Sequence, residues 1–394
     1  MLGRLRLLTA GESHGKGLVG ILEGLPAGLK IDPAIIDHQL QRRQRGYGRG
    51  GRMKIEKDQV EILSGVRWGL TIGSPITLMI HNRDWKNWQE GMSIDPLFKD
   101  YIPAVTKPRP GHADLSGVLK FGFRDARNVL ERSSARETAM RVALGALARQ
   151  MLSVFGIEVF SFVLSIGPVR VDDSFLFSPD TDFESLFALA ESSEVRCHDA
   201  ETTIAMKETI DRASRDGDTV GGVFALVIRG MPVGLGSHIQ WDTRLDARFA
   251  YALMGIQAIK GVEIGKGFDM ASGKGSTVMD EIFYEPQRGY YRKTNLAGGI
   301  EGGMTNGMPI VIRAAMKPIP TLKRPLASVD FVTKEPYRAA YERSDVCAVP
   351  AASVIAEAMG SIVIADAFLE KFGGDSIEET GRNYAAYKEY LNGA

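Results

Sequence analysis

Residues Gly65–Ile76 have the sequence GVRWGLTIGSPI, and residues Gly299–Ile310 have the sequence GIEGGMTNGMPI. The two stretches align without a gap, and six of their twelve positions are identical. A second matched pair lies upstream of each copy, EGLPAGL at 23–29 and RGMPVGL at 229–235. Chance similarity among many glycines is the alternative, but two matched blocks in the same order favour a duplicated unit.

The residues between these blocks predict the same order of elements in both halves. Each half has an apolar strand, a G-x-P-x-G turn, a helix, a strand and a glycine-rich turn into another strand. Asp32 is predicted to cap a helix from Pro33 to Arg43, because aspartate is a good N-cap and proline favours the first helical position. Asp242 is predicted to open the matching helix, which runs to about Met254. The repeat units cover roughly residues 18–80 and 220–315.

Two further helices are rich in small residues, which permit close approach, and they are predicted to be central. Ser134 and Glu137 form a capping box ahead of a helix that ends near Gly156, and Ala351–Phe372 forms a similar helix stopped by glycines. Strands such as Val220–Arg229 are flanked by hairpin-like turns, which favours antiparallel sheets. We therefore predict an α+β fold, with a buried helical layer covered by antiparallel sheets. Because no Pro/Ser linker divides the chain, one pseudo-symmetric domain over residues 1–394 is predicted.

The composition is that of a globular protein. Hydrophobic residues make up 44% of the 394 and charged residues 24%, which excludes a disordered chain, and the 44 glycines lack the regular spacing of collagen. Forty-eight basic residues balance 48 acidic ones, so no global field draws the protein to nucleic acid or to an anionic membrane. At about 150 residues per domain, length alone suggests two to three domains.

Cysteine usage and hydropathy predict a cytoplasmic location. Cys197 and Cys347 are too few for a disulfide framework and have no redox or metal-site spacing, so a reducing compartment and no metal site are predicted. Arginines interrupt the N-terminal residues where a signal peptide needs an apolar core. The most apolar later stretch carries Glu357 and Asp366, whereas a membrane span needs about 18 residues with few or no charges.

Four familiar motifs occur in contexts that argue against them. Gly15–Gly20 fits G-x-G-x-x-G and Gly11–Gly15 fits G-x-S-x-G, but both motifs need a following helix, and here a strand and turn are predicted. Gly267–Gly275 resembles a phosphate-binding P-loop but has the wrong spacing and lacks Ser or Thr after Lys274. Arg45–Arg52 resembles an RGG segment but occurs once. A serine hydrolase and an RNA-binding module stand as alternative functions.

Basic residues cluster in one glycine-rich segment. Between Gln41 and Lys54 there is no acidic residue, and the basic ones are Arg42, Arg43, Arg45, Arg49, Arg52 and Lys54. A solvated basic face would carry interleaved acids, whereas glycines at 46, 48, 50 and 51 let the backbone fold tightly and bring guanidinium groups together. Because arginine binds phosphate and carboxylate in a bidentate manner, the segment predicts a site for a small polyanion.

Two histidines, His14 and His112, lie in similar polar, glycine-rich loops. Histidine has an ordinary pKa of about 6.5, which suits proton transfer at neutral pH. The segment Glu131–Glu137 places hydroxyls and arginines at a helix start, where backbone N–H groups bind anions. The remaining histidines are predicted to be structural: His38, His81, His198 and His238.

Seven segments, in order along the chain, carry a family resemblance. They are Thr9–Gly15 (TAGESHG), Arg42–Arg49 (RRQRGYGR), Arg109–Asp114 (RPGHAD), Arg132–Thr138 (RSSARET), Gly298–Met304 (GGIEGGM), Met316–Leu322 (MKPIPTL) and Arg343–Asp345 (RSD). On these segments the sequence resembles the chorismate synthases of the shikimate pathway, over essentially its whole length.

The resemblance implies an activity, a cofactor and an assembly. The activity is trans-1,4-elimination of phosphate from 5-enolpyruvylshikimate 3-phosphate to give chorismate, in aromatic amino acid biosynthesis. The family requires reduced FMN although the reaction has no net redox change, and it forms homotetramers of β-α-β sandwich subunits. NADPH is expected to act only indirectly, as a source of reduced flavin. A separate flavin reductase or other reductant is expected, because no stretch of the chain is left over for one.

The resemblance also assigns roles to residues. Substrate contacts, which overlap with positions assignable to NADPH, fall on Ser13, Arg43, Arg49, Arg52, Arg109 and Arg136. Flavin contacts fall on Arg132, Ser133, Ser134, Gln257, Ala258, Gly302, Lys317, Pro318, Ile319, Pro320, Thr321 and Arg343, of which Gln257 stands where relatives are expected to have asparagine. His14 is the candidate acid at the departing phosphate, His112 the candidate proton-transfer group at the flavin, and Asp345 the candidate proton acceptor near flavin N5.

Overall fold

The computed structural model describes residues 3–50, 57–338 and 345–393. Its strands are β1 (Arg6–Ala10), β2 (Gly17–Glu23), β3 (Glu61–Ser64), β4 (Val66–Arg67), β5 (Leu70–Thr71), β6 (Ile76–His81), β7 (Glu158–Ile166), β8 (Val169–Arg170), β9 (Gly222–Arg229), β10 (Ile259–Ile264), β11 (Phe283–Glu285), β12 (Gly289–Tyr291), β13 (Ile300–Glu301), β14 (Met304–Thr305), β15 (Ile310–Met316), β16 (Ala327–Val329) and β17 (Pro336–Arg338). Its α-helices are α1 (Pro33–Gln44), α2 (Asp114–Phe121), α3 (Arg127–Ser133), α4 (Thr138–Val154), α5 (Phe183–Ser192), α6 (Ala200–Arg215), α7 (Leu245–Met254), α8 (Phe268–Ala271), α9 (Gly275–Val278), α10 (Val349–Phe372) and α11 (Ile377–Gly393). Short 3-10 helices cover Arg83–Asn87, Pro96–Phe98, Ala135–Glu137, Ser174–Phe177 and Trp241–Thr243.

Two antiparallel sheets enclose a layer of helices. The first sheet has the strand order β1-β2-β6-β3, and the second has the order β10-β15-β9-β7-β8. Helix α4 packs on β2 and β6 of the first sheet, α10 packs on β7 and β9 of the second, and the two helices pack on each other. The predicted α+β fold, a β-α-β sandwich with a central helical layer, is confirmed.

The two halves of the chain have matching elements. Strands β1, β2, β6 and β3 occupy the same order in their sheet as β7, β9, β15 and β10 in theirs. The buried hydroxyl of Thr71 donates to the carbonyl of Pro26 (2.6 Å), and that of Thr305 donates to the carbonyl of Pro232 (2.6 Å). Each threonine oxygen also accepts from the backbone N–H three residues after that proline, at 2.9 and 2.8 Å. The repeated threonine thus ties the G-x-P-x-G turn to the glycine-rich hairpin in both copies.

The two predicted helix starts have different outcomes. Asp32 caps α1 as predicted, because its carboxylate accepts from the N–H of Ala34 (2.9 Å). The start predicted at Asp242 is wrong, since this residue lies in a 3-10 turn and α7 begins at Leu245. Arg244 has extended backbone angles (φ −63°, ψ 132°), which separate the 3-10 turn from α7.

The capping box ahead of α4 forms only in part. The Ser134 hydroxyl accepts from the N–H of Arg136 (3.3 Å), but it caps a 3-10 turn rather than α4 itself. The Glu137 carboxylate accepts from Arg141 one turn later (2.7 Å) instead of closing the box. The predicted reciprocal bond is wrong because the arginine competes for that carboxylate.

Helix α10 places two acidic groups in the core. Within the described ranges it is the one helix long and apolar enough to cross a membrane, and 94% of its most apolar window is buried in the protein. Asp366 accepts from the backbone N–H groups of residues 3, 4 and 5, at 2.7–3.1 Å, and also pairs with Arg248. Opposite charges and N–H donors therefore satisfy this carboxylate inside the protein.

Glu357 is the centre of a buried ionic network. Its carboxylate accepts from Arg42 (2.6 and 2.8 Å), Arg149 (2.6 Å), Arg196 (3.0 Å) and the Ser161 hydroxyl (2.6 Å). Burial raises the pKa of Glu357, but Arg42 and Arg149 outweigh it and hold this pKa well below the ordinary range. Arg42, which the sequence places in the basic segment, therefore binds the core rather than a ligand.

The central helices approach each other closely at a glycine. A Cβ atom on Gly145 of α4 would lie 2.5 Å from the Cβ of Ala358 on α10 and 2.6 Å from its Cα. We predict that Gly145→Val lowers the free energy of unfolding by about 1–3 kcal/mol, because the helices must separate. Urea unfolding measures this, with Gly275→Val as the control, since a Cβ there meets nothing within 4 Å. Equal stability of the two variants would contradict the close packing.

Candidate active site

The loop between β1 and β2 presents Ser13 and His14. Asn82, which follows β6, holds this loop by donating to the carbonyls of Glu12 (3.1 Å) and Gly15 (2.9 Å). The Ser13 hydroxyl lies 3.1 Å from the Ser134 hydroxyl. A strand, not a helix, follows the loop, as predicted, so neither the G-x-S-x-G nor the G-x-G-x-x-G motif has the context it needs.

His14 is held by a buried carboxylate. Its Nδ1 lies 2.9 Å from Glu131 Oε1, and its backbone N–H donates to Glu131 Oε2 (2.8 Å). Burial raises the pKa of Glu131, but the hydrogen bonds from His14 outweigh it, and this pKa lies below its ordinary value. The ring of Trp88 covers the imidazole, with 4.2 Å between ring centroids.

Arg43 and Arg136 lie side by side at the start of α4. Arg43 donates to the Ala135 carbonyl (2.7 Å) and to the Thr138 hydroxyl (3.0 Å). Arg136 binds the buried Asp58 through two bonds of 2.6 and 2.8 Å, and Asp58 lies 3.9 Å from Arg43 Nη1. Burial lowers the pKa of Arg43 to about 10 despite Asp58, so this guanidinium group stays charged at neutral pH.

Arg49 and Asp345 form a second pair close to Arg43. Arg49 Nη1 lies 2.8 Å from Asp345 Oδ2, and the N–H of Gly50 donates to Oδ1 (2.6 Å). The Arg49 side chain is 10% exposed, so it is not part of a solvated face. Its charge lowers the pKa of Arg43, while that of Asp345 raises it. The glycine-rich segment thus brings two of its predicted arginines together.

His112 belongs to a separate cluster with Arg109. Asp114 accepts from His112 Nδ1 (2.5 Å) and from Arg109 Nε (3.0 Å). Burial raises the pKa of Asp114, but these two partners outweigh it and hold this pKa well below its ordinary range. Arg109 also reaches the Thr321 hydroxyl (3.3 Å), and Lys317 Nζ donates to the Gly111 carbonyl (2.6 Å).

The predicted flavin contacts on α3 and before β10 adjoin the loop of His14. Arg132 donates to the carbonyl (2.9 Å) and hydroxyl (2.6 Å) of Thr9. Gln257 donates to Glu137 (3.3 Å), and the carbonyl of Ala258 accepts from the N–H of Lys317 (2.9 Å). These contacts join the segments around residues 132, 257 and 317 into one surface.

Two atoms of this surface lack partners. Ser133 Oγ and Gln257 Oε1 are buried and have no hydrogen-bond partner among the described residues. Ala258 also holds a left-handed backbone conformation, with φ 67°, which non-glycine residues rarely adopt. Buried polar atoms without partners and a strained backbone are typical of a ligand site. They fit the polar edge of a flavin.

The other predicted site residues lie on either side of β15 or outside the described ranges. Gly302 lies in the turn of the β13–β14 hairpin, before β15, and Lys317 follows β15. The remaining members of the Lys317 segment, Pro318, Ile319 and Pro320, continue from that strand, and the Ile319 carbonyl accepts from Thr219 (2.7 Å). Arg52 and Arg343 lie outside the described residues.

Apart from Asp345, the residues that pair with the site's arginines and histidines are not among those predicted from the sequence. Glu131 and Asp114 lie inside or beside the family motifs. Each stands within five residues of an arginine or histidine, and this short spacing could have indicated an ion pair. Asp58 and Asn82 carry no such signal, because they lie 78 and 54 residues from Arg136 in the chain.

Comparisons with known proteins show the family of this chain. The family model described as chorismate synthase matches residues 5–369. The chain belongs to the chorismate synthase family. A chorismate synthase of Geobacter sulfurreducens is 60% identical over 394 residues, covering 98% of this chain and 99% of the relative, and that of Geobacter metallireducens is 59% identical with the same coverage.

A solved structure supports the family fold as well. A structure described as "Crystal Structure of Chorismate Synthase" matches with a TM-score of 0.82 at 47% identity, and the match covers 100% of both chains. The resemblance that the seven motifs indicated is therefore confirmed, together with the β-α-β sandwich that chorismate synthases share.

Proposed function

We propose that this protein is a carbon–oxygen lyase that converts 5-enolpyruvylshikimate 3-phosphate into chorismate and phosphate, for aromatic amino acid biosynthesis. The observation that carries the proposal is the clustering of Arg43, Arg49 and Arg136, since Arg136 donates to Asn82, which in turn holds the loop of His14. The substrate has two carboxylates and one phosphate, so it needs several cations and a proton donor together. Membership of the family supports the same reaction.

The cofactor in this proposal is reduced FMN. The residues that would hold it are Arg132, Ser133, Ser134, Gln257, Ala258 and Lys317–Thr321, with Gly302 and Arg343 completing the predicted set. Support comes from the buried Ser133 Oγ and Gln257 Oε1, which have no partner among the described residues and can bind a flavin edge. When bound, reduced FMN supplies transient electron density that assists the departure of phosphate.

The protein's own groups would bind the anions and move protons. Arg43, Arg49 and Arg136 orient the phosphate and carboxylates by charge-assisted hydrogen bonds. His14 gives a proton to the phosphate oxygen as its bond to carbon breaks. His112, held by Asp114, keeps a proton at the cofactor edge. Asp345 is the proton acceptor in this proposal, and the Gly50 N–H and Arg49 hold its carboxylate in place.

The cellular setting follows from the same proposal. Reduced flavin comes from a separate reductase or another reductant, with NADPH as an indirect source. The protein works in the cytoplasm as a homotetramer, without nucleic acid or membrane as a partner. The family resemblance supports the tetramer, and the balance of 48 basic and 48 acidic residues supports the absence of a polyanionic macromolecule as partner.

We expect phosphate release and chorismate absorbance only when substrate, FMN and dithionite are all present under anaerobic conditions. Oxidised FMN without dithionite is the control, because it lacks the electrons that assist the elimination. Ester hydrolysis or RNA binding by the same preparation would favour the alternatives. Absence of both products under reducing conditions would refute the proposed reaction.

Arg49→Ala should raise the Michaelis constant strongly while the fold stays intact. Removing a cation that binds an anion in a desolvated site costs about 2–5 kcal/mol, and Arg49 is largely buried beside Asp345. Initial rates at varied substrate concentration measure the effect, and circular dichroism checks the fold. Arg45→Ala is the matched control, since Arg45 is an exposed arginine of the same segment. Equal Michaelis constants for the two variants would show that the segment is a solvated basic face and not a substrate site.

A further inference from the structure

The contact between Glu131 and His14 determines which imidazole nitrogen carries hydrogen. A carboxylate whose pKa lies below the ordinary value is ionised at neutral pH, and an ionised carboxylate only accepts hydrogen bonds. Nδ1 of His14, 2.9 Å from Glu131 Oε1, must therefore carry a hydrogen. Nε2 is then the nitrogen that gains and loses a proton.

The same carboxylate also fixes the backbone of this residue. Glu131 Oε2 accepts from the His14 N–H at 2.8 Å, so one side chain holds both the main chain and the ring. Glu131 is 4% exposed, and helix α3 carries it, so the carboxylate is itself held in place. Such two-point support keeps a proton donor within the narrow geometry that proton transfer needs.

Few charged groups face this pair in the described part of the chain. On α3, Arg127 Nη1 lies 3.6 Å from Glu131 Oε1, and its guanidinium stands over the Trp88 ring at 5.0 Å. Trp88 in turn covers His14, and its indole N–H donates to Asp84 (3.2 Å). The imidazole is thus enclosed by an aromatic ring on one side and by the Glu131 carboxylate at Nδ1.

We propose that Glu131 is the positioning residue of His14: it selects the tautomer with hydrogen on Nδ1 and directs Nε2 as the proton donor of the elimination. In that step the bond between carbon and the phosphate oxygen breaks, the electron pair stays on that oxygen, and the Nε2 proton moves to it. The imidazolium becomes neutral imidazole, with its Nδ1 hydrogen still donated to Glu131. The identity of the proton acceptor rests on the proposed function, whereas the tautomer of His14 does not.

The first test is nitrogen NMR of protein labelled with 15N-histidine. The chain has six histidines, and the signals that disappear in His14→Ala identify those of His14. We expect hydrogen on Nδ1 in the unsubstituted protein. In Glu131→Gln we expect this preference to disappear, because the glutamine amide has a single acceptor oxygen and its NH2 group must face either the backbone N–H or the ring Nδ1–H of His14. Hydrogen on Nε2 in the neutral ring of the unsubstituted protein would overturn the proposal, whether or not the protein turns over substrate.

The second test is steady-state kinetics of a double-mutant cycle. Glu131→Gln should lower kcat at least about 10-fold, toward the roughly 10⁴-fold cost of removing the orienting carboxylate in a serine–histidine–aspartate triad, with KM changed little. In a His14→Ala background the same substitution should change kcat less than about 2-fold, since its effect acts through His14. An equal decrease in both backgrounds would show a merely structural role and overturn the proposal.

Glu61→Gln is the matched control. His81 Nε2 lies 2.8 Å from Glu61, and both side chains are exposed, so this substitution removes a solvent-exposed histidine–carboxylate pair that does not contact His14 or Glu131 in any described hydrogen bond. We expect unchanged kcat and unchanged His14 signals. A decrease in kcat as large as that of Glu131→Gln would assign the effect to general instability and contradict the positioning role.

Discussion

His14→Ala and His112→Ala should each lower turnover by about 10²–10⁴-fold, the range typical for removal of a general acid or base. Both imidazoles are held through Nδ1 by a buried carboxylate, Glu131 for His14 and Asp114 for His112. Binding of substrate and FMN should change far less, because the arginines remain. Stopped-flow or steady-state assays of chorismate formation measure turnover, and the pH profile of turnover should lose one limb in each variant.

The melting temperature separates a proton-transfer role from a structural one. A histidine that only supports its loop lowers the melting temperature when it is removed, whereas a proton-transfer group need not. His198→Ala is a useful reference, because His198 lies among Phe162 and Phe175 and is predicted from the sequence to be structural. Turnover and pH profile unchanged in both His14→Ala and His112→Ala would assign the proton chemistry to Asp345, flavin or water.

Glu357→Gln should lower the free energy of unfolding at pH 7 by about 3–5 kcal/mol, because it leaves buried arginines without their shared counter-charge. Arg42 and Arg196 would retain Glu191 as their acidic partner. Guanidinium unfolding at one fixed protein concentration measures the difference, since association of subunits, where it occurs, adds to stability. Glu23→Gln, which removes an exposed pair with Arg6, should cost less than about 1 kcal/mol.

The same network predicts a pH dependence with a definite sign. The pKa of Glu357 in the folded protein lies below its ordinary value of 4.5, so the folded state binds this proton less readily than the unfolded state. The stabilisation is fully present above pH 4.5 and is lost as the pH falls toward the lower folded value. The gap in stability between Glu357→Gln and the unsubstituted protein should therefore narrow in acid. A gap that stays constant down to about pH 3 would contradict the network.

The sequence predicted much of the fold because the decisive signals are local. Turns and helix caps depend on neighbouring residues. Thr71 and Thr305, at matching positions of the two repeats, make the same hydrogen bonds in both halves. The predicted start of α7 is wrong for the opposite reason: the extended backbone of Arg244 interrupts the helix there, and the composition around Asp242 does not show it.

Arg42 and Arg43 show where sequence reasoning about the site ends. They are adjacent in α1, yet Arg42 binds Glu357 in the core and Arg43 lies at the start of α4. Because a helix has about 3.6 residues per turn, neighbouring side chains point about 100° apart, and packing of the whole helix decides which of them faces the site. Both are basic residues of one glycine-rich segment, so their composition could not distinguish them.

By itself, the sequence determined the duplicated unit, the central helices and the family, because repeated glycines, small-residue helices and seven ordered motifs are properties of the chain. The tertiary structure alone decided which charges meet. It brings Asp58 to Arg136, aligns Glu131 with His14, and joins Arg109 to Asp114 and Thr321. Ion pairs and hydrogen bonds act over a few ångströms in space, and distance along the chain does not specify distance in the folded molecule.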